Sequence, residues 1–75
     1  MTVKELSLKL STFPPDANIV VPGYEGGFAD VTGAREIRLQ KDANKEWYYG
    51  RHEEADTRDQ QAVKAVVIVG EERED

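Results

Sequence analysis

A glycine-dense segment, residues 23–27, is the first place in the sequence where residue types suggest a specific chemistry. Glycine loops hold phosphates when they run from a strand into a helix whose amides point at the anion. Here Glu25 lies inside the loop, no Lys-Ser or Lys-Thr pair follows, and the next segment does not have a helical pattern. The pattern therefore disfavours phosphate binding and favours either a wide turn with positive φ angles or a recognition loop.

Two aromatic residues, Tyr24 and Phe28, flank these glycines, and so short a chain cannot easily bury both. Exposed aromatic side chains beside acidic residues are typical of protein–protein contacts. The sequence therefore predicts a partner-binding surface made of Tyr24, Glu25, Phe28 and Asp30. The alternative is that the glycines serve the turn alone.

A second group of candidate ligands contains one imidazole and four carboxylates, from His52, Glu53, Glu54, Asp56 and Asp59. Side chains of these types can bind a divalent cation. Their spacing matches neither a calcium-binding loop, with its central glycine and terminal glutamate, nor a zinc motif. The segment is therefore predicted to be a solvated polar loop, and no metal or other cofactor is expected.

Acid–base catalysis would need paired carboxylates, and Asp16, Glu25 and Asp30 are candidates to approach one another around the glycine loop. Such a pair also needs a pocket that shifts its pKa values. A chain of 75 residues with few core residues builds that pocket only if two subunits share it. The sequence predicts a protein that is not an enzyme; the alternative is a small ligand-binding or enzymatic domain with an intersubunit site.

Three consecutive aromatic residues, Trp47-Tyr48-Tyr49, could stack nucleobases. Stacking sites usually have basic neighbours, and here only Lys45 and Arg51 qualify. The aromatic run is instead predicted to be a strand, with Trp47 and Tyr49 in the core and Tyr48 exposed.

The composition is acidic, with 15 Asp and Glu against 10 Lys and Arg and a formal net charge of −5. Direct nucleic-acid binding needs clustered cations and is therefore not expected. An acidic mimic of nucleic acid, which inhibits a protein with a basic groove, is an alternative function. The absence of cysteine, of a signal-peptide pattern and of an apolar run of about 20 residues predicts a cytoplasmic protein without membrane contact.

The first secondary-structure element predicted from the sequence is an N-terminal helix. Thr2 and Glu5 have the spacing of a capping box. Apolar residues then recur at three- and four-residue steps, and Pro14-Pro15 ends the segment. The apolar positions of this stripe are Val3, Leu6, Leu10 and Phe13.

Strands are predicted at four places, residues 18–21, 35–40, 46–51 and 62–69. The second and third strands are expected to form a hairpin. The last strand is expected to be central in the sheet because it is the most apolar. The fold class is therefore α+β, with an N-terminal helix packed on a mainly antiparallel three- to four-stranded sheet. One domain is expected over residues 1–70, followed by an acidic, disordered tail over 71–75. Because the core is small, a homodimer is a natural supplement to its stability.

The first third of the chain, residues 3–31, also carries a recurring pattern. It consists of Val3-Lys4-Glu5-Leu6, Leu10, Phe13-Pro14-Pro15-Asp16-Ala17, Ile19-Val20-Val21, Gly23-Tyr24-Glu25-Gly26-Gly27-Phe28 and Asp30-Val31. The pattern resembles a scattered group of uncharacterised small bacterial and phage proteins that open with KEL…L…FPPDA and continue with a GYEGG loop. The resemblance implies a cytosolic, prophage-linked protein, and it implies no catalytic residue.

Overall fold

The computed structural model of the chain describes residues 1–72. One N-terminal helix and a mainly antiparallel sheet of four strands confirm the predicted α+β class. By residue contacts the chain divides into two compact units, Met1–Gly33 together with the segment that begins at Val69, and Ala34–Ile68. The expectation of a single domain over 1–70 stays a prediction. Most of the predicted tail, residues 73–75, lies outside the described residues.

Helix α1 spans Val3–Leu10 and begins with the predicted capping box. Glu5 donates its main-chain N–H to Thr2 Oγ1 at 3.1 Å, and Thr2 donates its own to Glu5 Oε1 at 3.2 Å. Of the side chains on this helix, Leu6 is half-buried and the others are exposed.

The helix ends before Pro14-Pro15, earlier than the apolar spacing suggested. Two hydroxyl groups explain this end, since Ser11 donates to the carbonyl oxygen of Leu8 at 2.7 Å and Thr12 to that of Lys9 at 2.8 Å. Such bonds satisfy carbonyls that further helical turns would otherwise satisfy.

Strands β1 (Val20–Pro22) and β2 (Phe28–Gln40) form an antiparallel hairpin around the glycine segment. The register pairs Val20 with Asp30 and Pro22 with Phe28. Strand β2 is longer than the predicted strand at 35–40, because it continues through Gly33 and begins directly after the glycine segment.

Strand β3 (Glu53–Glu54) pairs with the end of β2, through Leu39 opposite Glu54 and Gln40 opposite Glu53. The sequence analysis predicted a strand at 46–51 instead, and this prediction was wrong. That segment is a loop, because Asn44 donates its main-chain N–H to Arg51 at 3.1 Å and its side-chain amide to the carbonyl oxygen of Gly50 at 2.9 Å. These bonds close the segment on itself.

Strand β4 (Val63–Gly70) pairs with β2, so the central strand of the sheet is β2 and the prediction that 62–69 would be central was wrong. Within residues 1–72, Ile37 on β2 is the one buried side chain, with 9% of its surface exposed. The half-buried apolar side chains in the same unit are those of Leu39, Ala43, Ala55, Ala62, Ala65 and Val67. The core is therefore as small as the chain length suggested.

Candidate protein-interaction site

The glycine segment forms a closed loop at the tip of the β1–β2 hairpin. Gly23 donates its main-chain N–H to the carbonyl oxygen of Gly27 at 2.8 Å, and Gly27 donates to that of Tyr24 at 3.0 Å. Between them the chain makes one tight turn, over Tyr24–Gly26. The loop is therefore held by its own main chain as well as by the strands beside it.

Two consecutive residues of this turn adopt left-handed backbone angles. Gly26 has a φ of 79° and Glu25 a φ of 49°. The positive φ of Gly26 agrees with the wide turn predicted from the sequence. A residue with a Cβ pays roughly 1–2 kcal/mol in this region, so the turn holds Glu25 in a strained conformation. These backbone angles set the direction in which the chain enters and leaves the tip of the loop.

The aromatic residues of the predicted surface project into solvent. Tyr24 is 93% exposed and Phe28 is 72% exposed. Glu25 is exposed in the turn, and Asp30 is exposed two residues after Phe28, on the same face of β2. The structure thus brings all four predicted residues to the loop and the first residues of the adjoining strand.

The main chain of Asp30 also has a structural role. Its carbonyl oxygen accepts a hydrogen bond from the main-chain N–H of Glu71 at 2.8 Å. The strand that carries Phe28 and Asp30 is therefore paired beyond the end of β4, and Glu71 is tied to the sheet.

Three members of the candidate metal-binding cluster at residues 52–59 accept hydrogen bonds from main-chain N–H groups. Asp56 Oδ1 accepts from the main-chain N–H of Arg58 at 2.9 Å, and Asp59 Oδ1 accepts from that of Gln61 at 2.9 Å. The main-chain bond from Arg58, and then the bond from its side chain, hold the pKa of Asp56 below its usual value. His52 Nδ1 accepts from the main-chain N–H of Asp42 at 2.9 Å.

The carboxylates of Asp56 and Asp59 thus cap local turns, each by accepting from the main-chain N–H two residues on. In the part of the chain that the structure describes, no group of three or more His, Cys, Asp or Glu side chains is arranged to hold a metal ion.

A second exposed aromatic surface lies in the other unit, where the sequence predicted exposure of Tyr48 alone. Trp47, predicted to be in the core together with Tyr49, is 91% exposed. Its ring meets that of Tyr48 edge to face, with centroids 5.7 Å apart, and Tyr48 meets Tyr49 at 4.9 Å. Asn44 and Gly50, which flank the run and are typical of turns, were the signals that could have indicated a loop.

An open apolar groove of about 710 Å³ lies in the first unit, along the chain between α1 and β1. Its polar lining residues are Ser11 and Asn18, and the rest are apolar, among them Phe13 and Ile19. The groove therefore offers apolar contact without an acid or a base at its surface.

Across residues 1–72, no helix has the length and apolar character needed to cross a membrane. Comparison with protein-family models, with curated proteins and with solved structures finds no match to this chain. The resemblance of residues 3–31 to small bacterial and phage proteins therefore stays a prediction.

Proposed function

We propose that this chain is a small cytoplasmic protein-interaction module, without enzymatic activity, that presents the loop of residues 23–30 to a protein partner. The observation that supports this most directly is the almost complete exposure of Tyr24 on a loop whose main chain is closed by its own hydrogen bonds. The resemblance predicted for residues 3–31 would make this role phage-linked.

Rigidity of the loop supports a binding role. A partner that meets a flexible loop must order it, and this ordering reduces affinity. Here the bonds between Gly23, Tyr24 and Gly27 already fix the backbone, so a partner has few main-chain conformations to restrict. Aromatic side chains add large contact areas at the cost of few rotatable bonds.

The local charge indicates the chemistry of the partner. From Leu10 to Ala34 the sequence contains no Lys, Arg or His, whereas it contains Asp16, Glu25 and Asp30. The partner surface that fits best is therefore an apolar pocket for an aromatic ring, with lysine or arginine side chains at its rim. Complementary charges of this kind speed association and select the partner.

Affinity capture with matched variants tests the proposal. The chain is immobilised as the unaltered protein, as Tyr24→Ala/Phe28→Ala and as Trp47→Ala/Tyr48→Ala. Each double variant removes two exposed aromatic rings, so the second controls for nonspecific stickiness. We expect a protein that the unaltered chain and the control variant capture and that the loop variant does not.

Two outcomes would contradict the proposal. In the first, both variants retain the same partners; in the second, both lose them equally. Circular dichroism of each variant checks that the fold persists, which we expect because all four side chains are exposed.

A further inference from the structure

The aromatic loop, residues 43–51, is closed at its base by a hydrogen bond to a histidine ring. Pairing between β2 and β3 extends to Gln40, which lies opposite Glu53. Directly beyond this pair, Asp42 donates its main-chain N–H to Nδ1 of the His52 imidazole at 2.9 Å. One of the bonds that close the loop therefore depends on a side chain that can gain a proton.

This bond fixes the charge and the tautomer of the imidazole. Nδ1 accepts a hydrogen bond only when it carries no proton, so the ring of His52 is neutral and its proton is on Nε2. Protonation would place an N–H on Nδ1, directed at the N–H of Asp42. Because two donors cannot share this contact, the ring and the main chain of Asp42 must separate when His52 gains a proton.

The backbone conformation of Asp42 depends on the same bond. Asp42 has a φ of 54°, in the left-handed region that residues with a Cβ adopt at a cost. A conformation of this kind persists where neighbouring contacts hold it. The other contact of Asp42 is an ion pair between exposed side chains, with 3.9 Å between its Oδ1 and Arg51 Nε. Loss of the bond to His52 therefore leaves the left-handed conformation with weaker support.

Acidic and basic groups both lie beside the imidazole. The charged residues of the turn after β2, of the segment before His52 and of β3 are Lys41, Asp42, Arg51, Glu53 and Glu54, the last of which is paired with Arg35. Once the protonated ring has turned from the N–H of Asp42, the carboxylates of Asp42 and Glu53 are acceptors in the adjoining residues. The two protonation states thus favour different contacts, which a ligand-driven change of conformation requires.

The base of the loop is connected to its aromatic residues by short spans of chain. Asn44, two residues after Asp42, donates its main-chain N–H to the carbonyl oxygen of Arg51, the residue before His52, at 3.1 Å. Its side-chain amide donates to the carbonyl oxygen of Gly50 at 2.9 Å. Movement of Asp42 away from His52 therefore acts directly on the bonds that hold the two ends of the loop together.

We propose that protonation of His52 opens the base of the aromatic loop and makes the presentation of Trp47, Tyr48 and Tyr49 dependent on pH. The imidazole is neutral in the closed form, and a proton from solvent at Nδ1 converts the loop to the open form. This switch lies in a different loop from the one in the proposed function, and it does not depend on that function.

An NMR titration of the unaltered chain between about pH 5 and 8, where histidine ordinarily changes charge, tests the switch. The chain has one histidine and one tryptophan, so the ring signals of His52 and Trp47 are unambiguous. At the upper end of the range, nitrogen shifts should show a proton on Nε2 of His52 and none on Nδ1. As the ring gains its second proton, the Asp42 amide signal and the Trp47 ring signals should move with the same midpoint.

His52→Asn is the matched control. The amide oxygen of asparagine lies as many bonds from the main chain as Nδ1 does, so it can accept from Asp42, and it does not titrate. We expect this variant to stay closed over the whole range. At the lower end, the Asp42 amide of the unaltered chain should exchange about 2- to 10-fold faster than that of the control, which is the effect of losing one hydrogen bond. His52→Phe, which lacks the acceptor, should resemble the protonated protein at every pH.

Three results would overturn the proposal. The first is a neutral His52 ring with its proton on Nδ1. The second is an Asp42 amide signal that does not follow the titration of His52, or that changes equally in His52→Asn. The third is a set of Trp47 ring signals that stay constant while His52 and Asp42 change. If either variant does not fold, the tautomer and the titration of the unaltered chain decide the question.

Discussion

Gly23 and Gly27 face each other across the loop, and the 2.8 Å hydrogen bond between them holds Tyr24 at the tip of the β1–β2 hairpin. The bond makes the loop a continuation of the sheet, because Pro22 and Phe28, directly outside it, are already paired. Main-chain hydrogen bonds thus hold Tyr24 in place, although its ring is not buried.

The left-handed turn can be tested by comparing two glycines that differ in backbone angle. A Cβ at Gly26 or at Gly50 would meet no atom within 4 Å, but only Gly26 of these two has a positive φ, of 79°. Gly26→Ala should therefore lower the free energy of unfolding by about 1–2 kcal/mol. Gly50→Ala should leave it unchanged or raise it by about 0.4–1 kcal/mol. Urea unfolding measures both, and equal effects would contradict the description of the turn.

Arg38 connects β2 to the polar segment before β4. Its Nη2 donates to the carbonyl oxygens of Asp59 at 2.9 Å and Ala62 at 3.3 Å. Because hydrogen bonds from a charged group contribute about 1.5–3 kcal/mol, we expect Arg38→Met to lower the free energy of unfolding by that amount. Arg35→Met, which removes an exposed ion pair with Glu54, is the control and should cost less than about 1 kcal/mol. A larger loss for Arg35→Met than for Arg38→Met would refute this role of Arg38.

Low pH should destabilise the N-terminal end of α1. The hydrogen bond with the side chain of Thr2, and then that with its main chain, lower the pKa of Glu5 from its ordinary value of 4.5. A carboxyl group whose pKa is lower in the folded state stabilises that state above the unfolded-state pKa, and the contribution is lost as pH falls through the folded-state value. We therefore expect the capping box to persist at neutral pH and to be lost below pH 4.5.

An NMR titration of the Glu5 carboxyl group and of the Thr2 amide measures this loss. Glu5→Gln is the control, since its amide can also form a capping box but does not titrate. A carboxyl group that titrates above 4.5, or a Thr2 amide shift that changes equally in the control, would contradict the expectation.

The helix could be predicted because its signals are local. Thr2 and Glu5 lie three residues apart and need no other part of the chain to form their bonds. The strand at 46–51 was predicted wrongly because the β propensity of three aromatic residues outweighed the turn preference of Asn44, whose bonds to Gly50 and Arg51 decide the local structure.

The length of β2 depends on contacts far along the sequence. Gly33 indicates a break when only its neighbours are considered. Pairing with β4 overrides this preference, and Thr32 Oγ1 donates to the carbonyl oxygen of Val69 at 3.3 Å beside it. For the candidate site, the chain length correctly suggested exposure of Tyr24 and Phe28. Binding of a partner by these residues stays a prediction.

Salt distinguishes the loop contact from an acidic mimic of nucleic acid. A mimic that occupies a basic groove through many carboxylates should lose affinity steeply, by about 10³-fold or more between 50 and 200 mM salt, as nucleic acid itself does. A contact centred on Tyr24 and Phe28, with charges at its rim, should weaken far less over that range. Titration of the captured partner at several salt concentrations measures the slope, and a nucleic-acid-like slope would favour the mimic.

The most direct measurement of the central claim is a map of the binding surface by NMR, with the isotope-labelled chain titrated by the captured partner. We expect the largest shift changes and line broadening at residues 23–30, with Tyr24 and Phe28 among the most affected. The aromatic loop at Trp47 should change little. Changes concentrated at Trp47 or along β4, with residues 23–30 unaffected, would contradict the claim that the glycine loop is the interaction site.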